Sequence, residues 1–501
     1  RAAAFAVDGL QNTRPIEYPV QAPKEADAMF DVLTYEKGAS VLRMLEQHLS
    51  PLVFRDGVRD YLRTHAYGNA DTKDLWISLG KAAQQPVPEL MNGWIFQPGY
   101  PLVHARMAGD SELILTQKRF TYLPHQESED QTWHIPVQLR LETEDSVEHH
   151  RLLLTETDMR IALPSTPRQL VVNEGGHGFY RVHYETSLLT RLIDTGLDHL
   201  APTERFNLVS DAWATTVSGL MPLSDYLTLT RHFAQERDKN VWTVLIESLS
   251  FLHRIIADDD RSALEAFTGS LIGPAIQELG WAPRPDDNDL LRQLRGDLLG
   301  ALGKLGNDRG VQAEASIQYM RYQEDQSTVD PNIVPAIVTI LAHTGNEARY
   351  EEFSERAKHA TTPQEERRYL FSLAAFRSPA LLERTLARTI DGGIRTQDAP
   401  FVVGASLGNV SGRETAWEFA KQNWDQMDKL FPKQGLRRMC GGIVHLATPE
   451  LEQDVRTFFA SRQNDLGGKT LDQYLEQLRI AVAFKERNGA VLRQHLLSQT
   501  S

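Results

Sequence analysis

The sequence predicts a multidomain, mainly α-helical protein that contains one small β-sandwich and a long α-solenoid. Its 501 residues exceed what one hydrophobic core usually holds, which is about 250–300 residues. Apolar residues recur with helical spacing in residues 1–97 and again in residues 186–501, whereas they alternate with polar residues in residues 98–185. Helix-start signals also recur in the last segment, which is typical of repeated short helices.

Residues 1–97 are predicted to be helical, and the clearest helix begins near Gly38. One apolar face with the spacing i, i+1, i+4 and i+8 is formed by Val41, Leu42, Leu45 and Leu49. A later helical pattern is expected to end at Pro86 and Pro88, since proline cannot continue a helix. Lys37 and Gly38 are expected to shape a turn, in which glycine lets the backbone approach its neighbours closely.

Residues 98–185 show the two-residue period of strands with one buried face. In the clearest run, the apolar positions that alternate with mostly polar ones are Ile135, Val137, Leu139 and Leu141. Further strand candidates, separated by Gly and Pro, are residues 113–115, 152–154, 170–172 and 179–182. Several short strands within one short segment predict a small β-sandwich.

Residues 186–501 return to helical patterns, and three helix starts share one chemistry. Thr362 precedes Pro363 and Glu365, which predicts an N-cap, a proline in the first helical position and a capping box. Ser378 and Thr448 also precede proline, and each is expected to cap a helix. Repeated short amphipathic helices predict an α-solenoid of the HEAT type, although the sequence shows no strict repeat.

The composition excludes several classes of protein. Acidic residues outnumber basic ones by 67 to 53, and the formal net charge of −14 argues against a nucleic-acid partner. No run of about 18 apolar residues exists, so no membrane span is expected. The single cysteine, Cys440, excludes an intrachain disulfide and is predicted to be a packed thiol. A chain with one cysteine fits a reducing compartment, and the cytoplasm is the expected location.

The segment from Phe30 to Leu45 reads FDVLTYEKGASVLRML. It resembles the tyrosine-bearing segment of the zinc aminopeptidases of the aminopeptidase N and puromycin-sensitive aminopeptidase type. Further matching stretches follow in the family's order, so that the resemblance covers nearly the whole chain; they are residues 13–16, 67–76, 94–103, 117–120, 133–137, 173–184, 394–398 and 412–424. One departure is Arg14, which stands where the family usually has His.

The resemblance implies a function for each segment. Residues 1–97 are expected to be the helical end of a thermolysin-like catalytic domain, residues 98–185 the β-sandwich, and residues 186–501 a helical C-terminal domain that encloses the active site. In this family the Tyr35 hydroxyl would donate a hydrogen bond to the oxyanion that forms when zinc-bound water attacks a peptide carbonyl.

Two further side chains are candidates for substrate binding. By resemblance, Phe30 lines the pocket for the first side chain of the substrate, and packing in the core is the alternative. Arg395 is a candidate for binding the C-terminal carboxylate of a peptide, because a planar guanidinium can donate two parallel hydrogen bonds to one carboxylate. An ordinary surface position is the alternative for Arg395.

The zinc ligands of the family are not in this sequence. The family holds one Zn²⁺ through His-Glu-x-x-His and a more distant Glu, but none of the sixteen histidines begins that motif. His149 and His150 are adjacent on a predicted strand, where they point to opposite faces, and both are expected to face solvent. The substrate-amine motif Gly-x-Met-x-Asn is also absent. No metal ligand is therefore assigned within this chain.

The beginning of the chain leads to the same expectation. It opens within a helical pattern at Arg1, without an initiator methionine or a signal peptide. Both missing motifs precede the tyrosine segment in the family, so we expect a truncated chain or one piece of a cut polypeptide. The metal ligands and the general base would then lie in the upstream N-terminal part of the same protein.

Three functions agree with this sequence. The first is the C-terminal portion of a zinc aminopeptidase that removes N-terminal residues from peptides; this portion alone is expected to be inactive. The second is a non-catalytic α-solenoid that binds peptides or proteins, against which the Tyr35 segment counts. The third is a pseudo-enzyme whose full-length form has lost its zinc site. The upstream residues distinguish the first function from the third.

Overall fold

The computed structural model describes residues 1–19, 29–124, 131–144, 146–163, 165–462 and 469–498. The chain forms two compact units, Arg1–Met221 and Pro222–Ser501. The secondary structure is mostly helical with a small share of strands, as the sequence predicts. The segment boundaries at residues 97 and 185 remain predictions.

The first unit opens with helices. They are α1 (Ala2–Asp8), a π-helical turn (Leu33–Lys37), α2 (Gly38–Leu49), α3 (Pro51–Thr64), α4 (Thr72–Ala83) and α5 (Val87–Phe96). The predicted apolar face of α2 is confirmed, because Val41, Leu45 and Leu49 are buried in the core. Helix α4 ends before both prolines, and Pro86 is the N-cap residue of α5.

Gly38 does not have the surroundings that the sequence predicts. A Cβ atom at Gly38 would meet no atom within 4 Å, and its backbone is ordinary helix with φ of −54°. The close approach occurs elsewhere, because a Cβ at Gly57 would lie 2.9 Å from the Cα of Leu79. Helices α3 and α4 therefore meet at Gly57, and the expectation for Gly38 is wrong.

Seven strands of the first unit form two sheets. They are β1 (Pro101–Met107), β2 (Glu112–Arg119), β3 (Ile135–Glu142), β4 (Val147–Leu154), β5 (Asp158–Ala162), β6 (Gln169–Val172) and β7 (Arg181–Tyr184). The strand orders are β5-β2-β1-β7 and β4-β3-β6. All neighbours are antiparallel except β1 and β7, which run parallel. The candidate run 179–182 is only partly a strand, because Phe179 and Tyr180 precede β7 as buried core residues.

One hydrophobic cluster contains the buried faces of both sheets together with the helices of residues 1–97. Its members include Phe5, Met44, Trp94, Leu102, Leu115, Leu139 and Leu170. Gln117 of β2 joins the sheets, because its side-chain amide donates to the Trp133 carbonyl and accepts from the Trp133 N–H, both at 2.9 Å. Helices α6 (Thr186–Asp194) and α7 (Pro202–Ser218) follow β7 in the same unit.

The second unit is helical throughout its described residues. Its helices are α8 (Leu223–Arg231), α9 (Lys239–Ile255), α10 (Arg261–Leu279), α11 (Asp289–Lys304), α12 (Arg309–Glu324), α13 (Val334–His343), α14 (Glu347–Lys358), α15 (Pro363–Ser372), α16 (Pro379–Ala387), α17 (Ala399–Leu407), α18 (Arg413–Gln422), α19 (Trp424–Leu430), α20 (Lys433–Cys440), α21 (Pro449–Ala460) and α22 (Lys469–Leu497). Short 3₁₀ turns in the two units are Glu174–Gly176, Leu197–His199, Asp258–Asp260, Gln326–Thr328, Leu373–Ala375 and Gly441–His445. Helices close in sequence pack together, as where Gly300 of α11 faces Ala336 of α13.

Two of the three predicted helix caps form. Thr362 accepts a hydrogen bond from the N–H of Glu365 at 3.2 Å, and Thr448 accepts one from the N–H of Leu451 at 3.2 Å. The Glu365 carboxylate accepts from the N–H of Thr361 at 3.0 Å, so the expected capping box is displaced by one residue. Ser378 makes no capping hydrogen bond to any described residue, and that prediction is wrong.

Candidate functional site

Tyr35 lies in the π-helical turn Leu33–Lys37, which continues directly into α2. A π-helical turn contains one extra residue per turn and is frequent at functional sites. The Tyr35 side chain is 57% exposed, and no described residue is hydrogen-bonded to its hydroxyl. A phenol hydroxyl is a neutral hydrogen-bond donor, so this O–H is available to a ligand.

The N-terminal end of the turn is held by Asp31. Its carboxylate accepts hydrogen bonds from the N–H groups of Leu33 at 2.9 Å and Thr34 at 3.0 Å. The guanidinium of Arg14 donates to the same carboxylate at 2.5 Å and to the Thr34 hydroxyl at 3.0 Å. Arg14, the residue that departs from the family's usual His, thereby connects the preceding loop to the turn.

The C-terminal end of the turn is held by Lys37. Its ammonium lies 2.9 Å from the Asp8 carboxylate and donates to the Gly99 carbonyl at 3.0 Å. Both side chains of this ion pair are fully buried. Lys37 thus shapes the turn, as predicted. It does so through its buried ammonium group, which connects the turn to Asp8 of α1 and to Gly99.

Phe30 lies beside Tyr35 on the surface of the first unit. The centroids of the two rings are 6.3 Å apart, and the ring planes are inclined by 32°. Phe30 is 72% exposed, so it is not a core residue. The structure therefore places two sequence-predicted residues, Phe30 and Tyr35, next to each other.

Arg395 lies in the second unit and has acidic partners. Its guanidinium is 2.9 Å from the Glu366 carboxylate and 3.0 Å from that of Asp398. Asp398 is almost fully buried and also lies 3.4 Å from Arg367, whereas the Arg395 side chain is 52% exposed. Arg395 therefore holds the residues before α17 and leaves half of its surface open.

The histidines offer no metal site in the part of the chain that the structure describes. His149 is exposed and His150 is half-buried on β4, and they contact different carboxylates, those of Glu174 at 2.8 Å and Glu148 at 3.1 Å. No group of three or more His, Cys, Asp or Glu side chains among the described residues is arranged to hold a metal ion. Cys440 is buried as predicted, and burial raises the pKa of its thiol.

Sequence reasoning missed Asp8 as a partner of the Tyr35 turn. A signal was present, because Asp8 ends an otherwise apolar helix, Ala2–Asp8, and a carboxylate on a buried helix needs a charged or hydrogen-bonding partner. The sequence alone did not show which of the distant basic residues would supply that partner.

Two family models match the chain. Residues 1–94 match the model described as the peptidase family M1 domain, and residues 170–480 match the one described as the ERAP1-like C-terminal domain. No helix of the described residues combines the length and the apolar character needed to cross a membrane.

Curated relatives are similar over almost the entire chain. Aminopeptidase 2 of Candida albicans is 30% identical over 498 residues, which is 97% of this chain and 53% of the relative. Aminopeptidase M1 of Arabidopsis thaliana is 31% identical over 498 residues, 95% of this chain and 56% of the relative. Glutamyl aminopeptidase of Rattus norvegicus is 29% identical over 500 residues, which is 96% of this chain and 52% of the relative. The chain spans about half the length of these relatives.

Proposed function

Because the chain belongs to the M1 peptidase family, we propose that it is the C-terminal portion of a zinc aminopeptidase that removes N-terminal residues from peptides. The observation that carries the proposal is the exposed Tyr35, which lies in a π-helical turn beside Phe30 and whose hydroxyl is not hydrogen-bonded to any described residue. The relatives described above are all aminopeptidases, which supports the same activity.

The chain would then consist of three domains. Residues 1–97 are the helical end of a thermolysin-like catalytic domain, residues 98–185 are a β-sandwich, and residues 186–501 are an α-solenoid of the HEAT type. The two sheets that share one hydrophobic cluster support the sandwich. The run of short helices from α8 to α22 supports the solenoid. The upstream N-terminal part of the same protein is the proposed partner of this chain.

In this function Tyr35 is the oxyanion donor. The tetrahedral intermediate of peptide hydrolysis carries a negative oxygen, and a neutral O–H fixed near that oxygen stabilises it more than it stabilises the substrate carbonyl. One such donor commonly contributes about 3–4 kcal/mol to the transition state. Tyr35 suits this role because its hydroxyl has no competing hydrogen bond to a described residue.

Two other side chains, each considered within its own unit, are proposed to contact substrate. Phe30 would form a wall of the pocket for the first side chain of the peptide, since its exposed ring lies 6.3 Å from the ring of Tyr35. Arg395 would meet the C-terminal carboxylate of a peptide through the exposed half of its side chain. That carboxylate would share the guanidinium with Glu366 and Asp398.

The zinc ion of this family does not fit the described residues, which provide no cluster of potential ligands. We therefore assign the zinc ligands and the general base to the upstream part of the protein and derive no reaction step through the metal. The contribution of this chain is the oxyanion donor and the surface around it.

The test is hydrolysis of aminoacyl anilides by the complete, zinc-loaded gene product. The change Tyr35→Phe is expected to lower kcat on the order of 100-fold or more, because only the transition-state hydrogen bond is lost. Tyr67→Phe is the control, since that tyrosine is fully exposed and no site role is assigned to it. This chain expressed alone is expected to show no hydrolysis.

Two results would contradict the proposal. A loss below about 5-fold for Tyr35→Phe, with an unchanged fold, would remove Tyr35 from the transition state. Peptide binding without any zinc-dependent hydrolysis by the complete gene product would favour the non-catalytic binding module or the pseudo-enzyme.

A further inference from the structure

We propose that the buried ion pair between Asp8 and Lys37 positions the Tyr35 hydroxyl in the active site without touching the substrate. The proposal rests on the function proposed above. It makes Asp8 and Lys37 positioning residues, and it predicts that their removal lowers the turnover rate through Tyr35 alone.

Tyr35 needs support from outside its own side chain. The phenol is more than half exposed, and its hydroxyl has no hydrogen-bond partner among the described residues. Its place is therefore set by the backbone of the turn Leu33–Lys37. A π-helical turn is a rare geometry, and rare backbone geometries persist where the surrounding structure enforces them.

The ion pair is the centre of a buried network that joins three segments. One oxygen of Asp8 accepts hydrogen bonds from the Thr13 hydroxyl at 2.7 Å and the Gly99 N–H at 3.0 Å. The other oxygen lies 2.9 Å from the Lys37 ammonium, which also donates to the Gly99 carbonyl at 3.0 Å. This network thus fixes three segments at one point: the end of α1, the π-helical turn and Gly99.

The position of Lys37 makes it an anchor for Tyr35. Two residues apart on a helical turn, side chains point to nearly opposite sides, since two residues make roughly half a turn. Lys37 accordingly is fully buried while Tyr35 is exposed. A shift of the buried anchor tilts the turn and displaces the phenol on the other side. A displacement of about 1 Å at a reacting centre can lower a rate about 100-fold.

Stability alone is a weak explanation for this pair. Replacing a buried ion pair with apolar residues of similar volume is often neutral or stabilising, because the charges lose their hydration. The sequence nevertheless places a charged residue at the end of each of two segments that meet in the core. A requirement for one defined geometry of the turn explains why charges lie there.

The first variant is Asp8→Asn in the complete, zinc-loaded enzyme. Asparagine keeps an acceptor for Thr13 and Gly99 but removes the charge opposite Lys37. We expect kcat to fall at least about 10-fold while KM changes less than about 3-fold, since the lost alignment matters in the transition state. The matched control is Glu204→Gln, which removes the charge that accepts from Arg140 at 3.0 and 3.1 Å in the same unit. The control is expected to keep kcat within about 2-fold even where its melting temperature falls equally.

The decisive comparison repeats Asp8→Asn in the Tyr35→Phe background. We expect the second change to add less than about 3-fold there, because no hydroxyl remains to be positioned. An equal fall of kcat in both backgrounds overturns the proposal and leaves the role of Tyr35 intact. A Tyr35→Phe enzyme with wild-type kcat overturns the proposed role of Tyr35, and the positioning role with it.

Two further measurements cover a variant that folds poorly. The double variant Asp8→Leu with Lys37→Met removes both charges, so that no unpaired charge is buried. We expect a folded enzyme with the same loss of kcat. Full kcat in that variant overturns the proposal. Independently of activity, hydrogen exchange of the amides in residues 33–37 of this chain is expected to be faster in Asp8→Asn than in Glu204→Gln. Equal exchange overturns the proposal as well.

Discussion

At the scale of single residues, the most unusual feature is a pair of exposed aromatic side chains, Phe30 and Tyr35. Large apolar side chains stabilise a protein mainly when they leave water, and these two remain in it. Neither ring therefore contributes much to the stability of the chain. The substrate contact proposed for both rings would explain why they lie exposed next to each other.

The change Phe30→Ala is expected to alter substrate preference without altering stability. Loss of one apolar wall should change the ratio of kcat/KM between leucyl and alanyl anilides at least about 5-fold, since a pocket discriminates by its apolar contacts. The melting temperature should stay within about 1 °C, because changes at exposed positions have small effects. Leu52→Ala, at another exposed apolar residue, is the control. An unchanged ratio would show that Phe30 does not line the pocket.

The change Arg395→Met separates a substrate role from a structural one. Loss of stability of about 1 kcal/mol is expected in either case, because Asp398 is buried and loses a partner. A substrate role adds a second effect: the preference for a peptide acid over the same peptide with a C-terminal amide should fall at least about 3-fold. Arg384→Met, which also removes an arginine paired with two carboxylates, is the control. An unchanged preference would make Arg395 purely structural.

Residue identities in this chain were more predictable than residue partners. Tyr35 and Phe30 were found from their segment, and the structure places them together. The free space around Gly38 was not predicted, because it depends on which segments pass nearby. Asp8 was missed for the same reason: its partner Lys37 is joined to it only by the fold.

At the scale of helices and strands, the helix starts show how local sequence and local structure are related. Thr362, Ser378 and Thr448 all precede a proline in the first helical position. Thr362 and Thr448 cap their helices, whereas the Ser378 side chain makes no such bond within the described structure. The proline alone is enough to begin α16, since it lacks the N–H group that would need a partner.

This difference predicts two unequal effects from similar substitutions. Thr448→Ala should destabilise the chain by about 1 kcal/mol, because the N–H of Leu451 loses its acceptor. Ser378→Ala should change stability by less than about 0.3 kcal/mol, because no capping bond is lost. Thermal unfolding of the two variants side by side checks the prediction. Equal losses would show that Ser378 caps α16 in solution.

Periodic patterns predicted most elements but not the π-helical turn. The alternation in residues 135–142 predicted β3, and the apolar face from Val41 predicted α2. The turn Leu33–Lys37 has no pattern of its own. Its geometry depends on Asp31 at one end and Lys37 at the other, and these residues are fixed by distant parts of the chain.

At the scale of the whole molecule, three half-buried histidines among the described residues of the second unit are neutral at pH 7. Burial, with a smaller contribution from neighbouring cations, lowers the pKa of His253, His343 and His445 to about 4 each. An unfolded histidine has a pKa near 6.5. Between these two values the unfolded chain binds protons that the folded chain does not bind.

The chain is therefore expected to lose stability as the pH falls from 6.5 towards 4. The contribution of these histidines is fully present above pH 6.5, and it decreases as the unfolded chain takes up protons. The free energy of unfolding should be lower at pH 5.5 than at pH 7.5 by more than about 1 kcal/mol in total. Glu247 acts in the opposite direction, because burial raises the pKa of its carboxyl group.

Urea denaturation of the chain at the two pH values measures this loss. His253→Gln should reduce the difference between the two values, because one titrating group is removed. His359→Gln is the control, since the His359 side chain is 79% exposed. A difference that is the same in all three proteins would show that His253 does not contribute.

The sequence by itself determined the order of helical and strand segments, the resemblance of its motifs to zinc aminopeptidases, and the tyrosine at the centre of the proposed site. These properties follow from spacing and from neighbouring residue types, which are read along one stretch of chain. Only the tertiary structure decided that Asp8, Lys37 and Gly99 meet in the core, that Phe30 lies open beside Tyr35, and that Arg395 already has acidic partners. Contacts of this kind depend on which distant segments share a core, and no local pattern specifies that.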